Sequence, residues 1–213
     1  GCTIYMVLMS VYSILLHKYT GQCDIVIGSP IAGRQSPDLE NVIGMFVNMI
    51  AVRCNIDPQK SYMDYLKQVG ENCINAYDNQ SYQFEQMVND LKIERDSSRN
   101  PLFDVTLSMQ NMKKPNINLG GLDISFGGES NFTKYDIMIF AEEQDGRLQL
   151  HLTYRTSLFK RSTMIAFMNN FLRVIQIVEQ NRNILIKEID LVDEKQKERV
   201  INGIKSERDS LEL

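Results

Sequence analysis

The chain has 213 residues, 43% hydrophobic and 23% charged, with a formal net charge of −4. That is apolar material for one large or two small globular domains, and the mild acidity argues against a nucleic-acid binder, which carries a basic patch. No apolar run reaches the ~20 residues of a membrane span; the four cysteines, at positions 2, 23, 54 and 73, match no zinc or redox spacing and read as buried free thiols of a cytoplasmic protein.

In chain order, Thr3 caps a predicted helix whose apolar face is Ile4, Val7, Leu8, Val11 and Leu15, with Gly21 as its stop. "DIVIGSP" (24–30) reads as a short buried strand, and "FVNMIAVRCNI" (46–56) as another, closed by Asp57-Pro58. Residues 61–78 predict a helix with Met63, Leu66, Val69, Cys73 and Tyr77 on one side, and a second short helix is expected around 83–91. "PLFDVTLSMQN" (101–111) is strand-like, 111–121 is a polar connection, and "LDISFGG" (122–128) is a further strand candidate. The clearest hairpin spans 135–155, with Asp145-Gly146 at its turn and Leu148, Leu150, Leu152 and Tyr154 alternating with polar residues. A helix over 161–180 is expected to turn Ile165, Met168, Phe171, Leu172, Ile175 and Val178 inward. The charged stretch 193–213 reads as a frayed helix or linker. Helices mixed with strands and one antiparallel hairpin predict an α/β (α+β) two-layer sandwich, a mixed sheet covered by helices.

Chemistry-bearing residues are sparse. "GSPIAGR" (28–34) has the glycine spacing of a phosphate loop, but Arg34 and Gln35 stand where that loop needs Lys and Ser or Thr. A strand exit where something approaches the backbone closely is the simpler reading. His151 sits on the polar face of a strand with no partner at fixed spacing, and His17 closes a helix, where an imidazolium favours the dipole. In "RDSSRNPLF" (95–103), Arg95 and Arg99 flank Asp96 and precede Asn100-Pro101. They are either two surface arginines with Asp96 as a local partner, or one of them reaches a carboxylate from elsewhere and fixes a geometry.

Three stretches in order, "IGMFVNMIAVR" (43–53), "NQSYQFEQMV" (79–88) and "RDSSRNPLF", resemble successive motifs of nonribosomal peptide synthetase condensation domains. "GQCDIVIGSPIAGR" (21–34) and "LHLTYRTSLF" (150–159) resemble the flanking segments. The chain departs from the family pattern at Met49, where Thr is usual, and at Ser81 and Gln83, where Asp and Pro are usual. The family's His-His-x-x-x-Asp-Gly motif does not occur in the chain. The resemblance therefore implies the C-terminal lobe of a condensation domain over 1–192, followed by a linker toward an adenylation domain over 193–213. It implies one lobe of a chloramphenicol-acetyltransferase-like fold, with the N-terminal lobe of the same domain, peptidyl carrier proteins and the adjacent adenylation domain as partners. No cofactor is expected to bind directly; phosphopantetheine arms on the carriers present the substrates, and the chain alone is expected to be inactive.

For the site, the resemblance implies that an arginine of this lobe pairs with the motif's Asp from the other lobe, Arg99 first and Arg95 second, with Asn100 and Pro101 restricting that loop. Asn48 is expected to bond backbone near the tunnel between the lobes, and Gly28, Ser29, Gly33, Gly44 and Phe46 to line close backbone approaches. Residues 111–134 are expected to form a segment crossing to the other lobe. The competing readings are a noncatalytic docking module for carrier or adenylation domains, a free-standing acyl-CoA transferase, which would need a catalytic histidine, and an epimerization domain, which usually lacks "GMFVN".

Overall fold

The computed structural model describes residues 1–94, 96, 98–110, 133–144 and 146–192. Helix α1 (Ile4–Thr20) starts where Thr3 Oγ1 accepts from Met6 N at 3.3 Å and ends where Gly21 turns left-handed at φ 73°. The predicted boundaries hold, but the predicted single apolar face does not. Every residue from Tyr5 to Leu16 except half-buried Val7 is buried, whereas Ile4 is exposed. A helix apolar nearly all round is a central helix, and α1 packs against α2 (Tyr62–Asp78), α4 (Arg161–Gln180) and the sheet.

The sheet has five strands: β1 (Asp24–Ile31), β2 (Asn48–Asn55), β3 (Val105–Gln110), β4 (Ile137–Gln144) and β5 (Arg147–Tyr154). Their order is β2-β1-β3-β4-β5, with β1/β2 and β4/β5 antiparallel and β1/β3 and β3/β4 parallel. The period-two pattern supplies one core face: Ile25, Ile27, Ile50, Val52, Cys54, Leu107, Ile137, Ile139 and Ala141 all join the cluster shared with the helices. The expected hairpin is present, with Gln144 opposite Arg147 and Gly146 at φ 72°. The described residues thus form the expected mixed sheet with a helix layer.

Two buried hydroxyl pairs bind α1 to α2. Ser10 and Tyr62 share a hydrogen bond at 3.1 Å, and Ser13 and Tyr65 one at 2.7 Å. On the other flank, Tyr12 meets Phe167 and Phe171 of α4 edge-on, each at 6.3 Å. This contact corrects the expected orientation of α4. Met164, Phe167, Phe171, Val174 and Val178 are buried, while Ile165 and Leu172 face outward. Apolar residues cover a wide arc of α4, and the ring of Tyr12 selects the part that turns in.

The thiols also divide differently from expectation. Cys54 and Cys73 are buried, but Cys2 and Cys23 are exposed. The short helix α3 (Phe84–Asp90) lies where it was expected. The expected polar connection and strand over 111–128, most of the crossing segment 111–134, Asp145 and the tail 193–213 lie outside the described residues.

Candidate functional site

The predicted residues fall into two groups, one around the approach to β3 and one around the start of β2. Asp96 and Ser98 close a tight turn: Ser98 N and Oγ both donate to Asp96 Oδ1, at 2.8 and 2.7 Å, and Arg99 N donates to Asp96 O at 3.2 Å. These bonds from Ser98 hold the Asp96 carboxyl below its ordinary range. Asp96 therefore serves the turn, and Arg99 takes a different partner: its Nη2 donates to Asp104 Oδ2. That bond raises the guanidinium further, with Asp136 adding through space. The pair lies at the surface, the Arg99 side chain 65% exposed and Asp104 23%.

A second set of bonds ties this loop to the start of β4. Asn100 Nδ2 donates to Lys134 O at 2.9 Å, and Asp136 N donates to Asp104 O at 2.8 Å. Asp136 in turn pairs with Arg155 Nη1 at 3.2 Å. Pro101 follows Asn100 and restricts its backbone to extended conformations. Arg99 is thus held from both sides. Asp104, Asp136 and Arg155 were not anticipated; Asp104 is visible in sequence only as the acid five residues after Arg99. Arg95 lies outside the described residues.

Beneath the loop, Phe103 lies flat on Gly28. A Cβ on Gly28 would sit 2.1 Å from the Phe103 ring. The ring is flanked by Phe84 at 5.4 Å and Tyr135 at 5.7 Å between centroids. The close approach expected at Gly28 is therefore made by the chain's own aromatic stack. Ser29, the next residue, turns the other way and is buried.

The second group is the segment before β2. Gly33, at φ 66°, leaves no room for a side chain, because a Cβ would meet Phe46 O at 1.8 Å. Arg34 stacks over the Phe46 ring at 4.3 Å and donates from Nη1 to Leu39 O. Gly44 is close against the same ring, 3.0 Å from a notional Cβ. Asn48 is buried and uses its whole carboxamide: Nδ2 donates to Gln80 O and Tyr82 O, both at 3.0 Å, and Oδ1 accepts from Phe84 N at 3.2 Å. It fixes the α2–α3 turn, which contains the variant positions Ser81 and Gln83. Between these anchors Ile43 and Met45 are almost fully exposed, and Val47 largely so.

The two histidines have partners of their own. His17 Nδ1 lies 2.7 Å from Gln22 O beyond the end of α1, and His151 is exposed on β5 beside Phe140. Among the described residues no group of His, Cys, Asp or Glu is arranged to hold a metal, and no helix is long and apolar enough to cross a membrane.

The condensation-domain family model matches residues 1–201. The chain belongs to the condensation-domain family. It is 39% identical to bacitracin synthase 3 of Bacillus licheniformis over 92% of its length, and 38% identical to surfactin synthase subunit 1 of Bacillus subtilis (strain 168) over 95%. It spans only 3% and 6% of those proteins. The fold matches that of a holo four-domain nonribosomal peptide synthetase bound to AMP and glycine, with a TM-score of 0.83 at 25% identity over 91% of this chain and 16% of that one. It also matches the X-domain in its complex with OxyB from teicoplanin biosynthesis, with a TM-score of 0.80 at 22% identity over 91% of this chain and 44% of that one. The condensation-domain chain described here therefore corresponds to less than half of that chain. The mixed sheet and helix layer are the condensation-domain fold.

Proposed function

We propose that this chain serves as the C-terminal lobe of a condensation domain that forms peptide bonds in a nonribosomal peptide synthetase. An acceptor aminoacyl amine attacks the carbonyl of a donor acyl thioester; the C–N bond forms, the C–S bond breaks, and the amine proton leaves with the thiol. Phosphopantetheine arms of carrier proteins present both substrates. Alignment of a neutral amine beside the thioester supplies much of such an acceleration. In this reading the histidine motif comes from the other lobe, since no His-His-x-x-x-Asp-Gly string occurs among these residues.

The observation that carries the reading is the fixed position of Arg99. Its loop is tied by Asp104, by the bond from Asn100 to Lys134 O, and by Pro101. A guanidinium has five donors, so Asp104 on one terminal nitrogen holds it in place and a second carboxylate can still be gripped. We assign that second carboxylate to the Asp of the other lobe's catalytic motif, which the pair would order without taking part in proton transfer.

The test is Arg99→Ala in this chain and in a synthetase module containing both lobes. In the module, dipeptide formation from loaded carriers should fall on the order of a hundredfold, through misplacement of the catalytic loop. In this chain the same change should leave the denaturant midpoint unmoved, as for an exposed pair. The chain alone should yield no dipeptide above a protein-free control. Full activity of the mutant module, or condensation by the chain alone, overturns the assignment.

A further inference from the structure

Strand β2 is an edge strand, so every second residue turns its N–H and C=O away from the sheet. Which residues do so is fixed by three bonds. Ile56 N donates inward to Cys23 O at 2.7 Å. Arg53 O and Asn55 O point outward, where they accept from Asn72 Nδ2 and Gln68 Nε2 of α2, each at 2.9 Å. The outward set therefore continues to Ala51.

The two α2 amides form a ladder. Outward carbonyls recur about every 6.8 Å along a strand, and helix residues four apart recur about every 6 Å, so Gln68 and Asn72 match Asn55 and Arg53 in turn. The next step on the helix is residue 76, opposite Ala51. That residue is Ala76, which has no amide to offer. A cleft of about 480 Å³ opens there, lined by Ala51, Ala76, Asn75, Asn79, Tyr82 and Met87 among others. Among the described residues no side chain caps the main chain of Ala51. The one guanidinium nearby, Arg53, is neutralised by a two-point pair with Asp24, at 2.8 and 2.7 Å.

We propose that this cleft is a docking site for an extended, uncharged peptide segment of a partner polypeptide, which adds to the β2 edge at Ala51. The chemistry selects the occupant. Ala51 offers one outward donor and one acceptor; Asn75 lines the cleft beside them with its carboxamide, as does Asn79, whose Nδ2 already donates to Asn75 O at 2.9 Å; Met87 and Ala76 supply an apolar floor. Peptide backbone matches that set of neutral donors and acceptors, and strand addition is a general mode of peptide recognition. A carboxylate or ammonium ligand finds no unpaired opposite charge among these lining residues.

The probe is an acetylated and amidated pentapeptide of alternating Thr and Val, titrated into the 213-residue protein at millimolar concentration and followed by amide NMR. Before addition, the outward Ala51 N–H should exchange about tenfold faster than the paired N–H of Val52. The peptide should shift the Ala51 and Arg53 amides and slow Ala51 exchange; the same peptide methylated on its backbone nitrogens should do neither. Ala51→Pro removes only an outward donor, a substitution edge strands accept, and should weaken binding at least tenfold. Ala76→Asn completes the ladder and should block binding by occupying Ala51 O; it keeps the test decisive if Ala51→Pro does not fold. Equal binding of the methylated peptide, shifts that map away from the β2 edge, or no shift at all overturns the proposal. Concentration-dependent broadening at Ala51 without peptide assigns the edge to a second copy of the chain and likewise overturns it.

Discussion

At the scale of single residues, two positions show how tightly the sheet and its flanking loops are built. Gly28 has ordinary strand backbone, so its glycine reflects space and not torsion. The Phe103 ring occupies the volume of a Cβ and cannot swing away, since Phe84 and Tyr135 flank it. Gly28→Ala should destabilise the chain by about 1–3 kcal/mol through overpacking. Combining it with Phe103→Leu should recover part of that loss, a coupling that a double-mutant cycle in urea measures; strict additivity would show that the contact is slack. Asn48 makes a different demand. Its carboxamide is the shared partner of two carbonyls and one N–H in the α2–α3 turn. Asn48→Leu keeps the volume, strips all three partners, and should cost about 2–3 kcal/mol in urea unfolding. The family resemblance implies that Asn48 bonds backbone near the tunnel between the lobes; the backbone it bonds in this structure is that of the α2–α3 turn.

At the scale of elements, helix boundaries were legible and helix orientations were not. Thr3, Gly21 and Gly146 are local signals, and the described elements end where those signals stand. Orientation depends on what lies opposite. In α1 nearly every position is apolar, so no periodicity marks a face, and its burial from Tyr5 onward arises because α2, α4 and the sheet surround it. In α4 the apolar arc is broad, and Ile165 and Leu172 looked as suitable for the core as Phe167 and Val174 do in fact. The polar contacts between α1 and α2 were also invisible, since serine in a helix is normally a surface residue. Ser13 and Tyr65 are both buried, and the tyrosine hydroxyl depends on that serine. Tyr65→Phe should cost about 1 kcal/mol, since Ser13 keeps its bond to Ser10 O at 2.9 Å. A loss above about 3 kcal/mol would mean that the hydroxyl organises more of the helix layer than this pair.

At the scale of the whole molecule, the core's buried acids predict how global stability follows pH. Burial pushes the Cys54 thiol from 9.0 up to about 11, against weaker opposing bonds from Ser13 and Tyr65, and pushes Cys73 up to about 12. Below pH 9 both thiols are neutral folded or unfolded, and stability does not depend on them. Above it the unfolded chain releases its protons while the folded chain retains them, so stability falls as pH rises from about 9 to 11. The raised hydroxyls of Tyr5, Tyr12 and Tyr65 act in the same direction above pH 10. The urea midpoint should decline steadily over that range, and a flat profile would contradict the burial of these groups. The amino-acid sequence by itself determined the order and type of the helices and strands among the described residues, the mixed sheet and the condensation-domain family, because capping, strand alternation and motif strings are short-range patterns. Only the tertiary structure decided that Arg99 meets Asp104, that Phe103 rests on Gly28, and that Ala51 is left uncapped beside Ala76. Each of these joins groups whose distance depends on how strands and helices pack, and no local pattern encodes that distance.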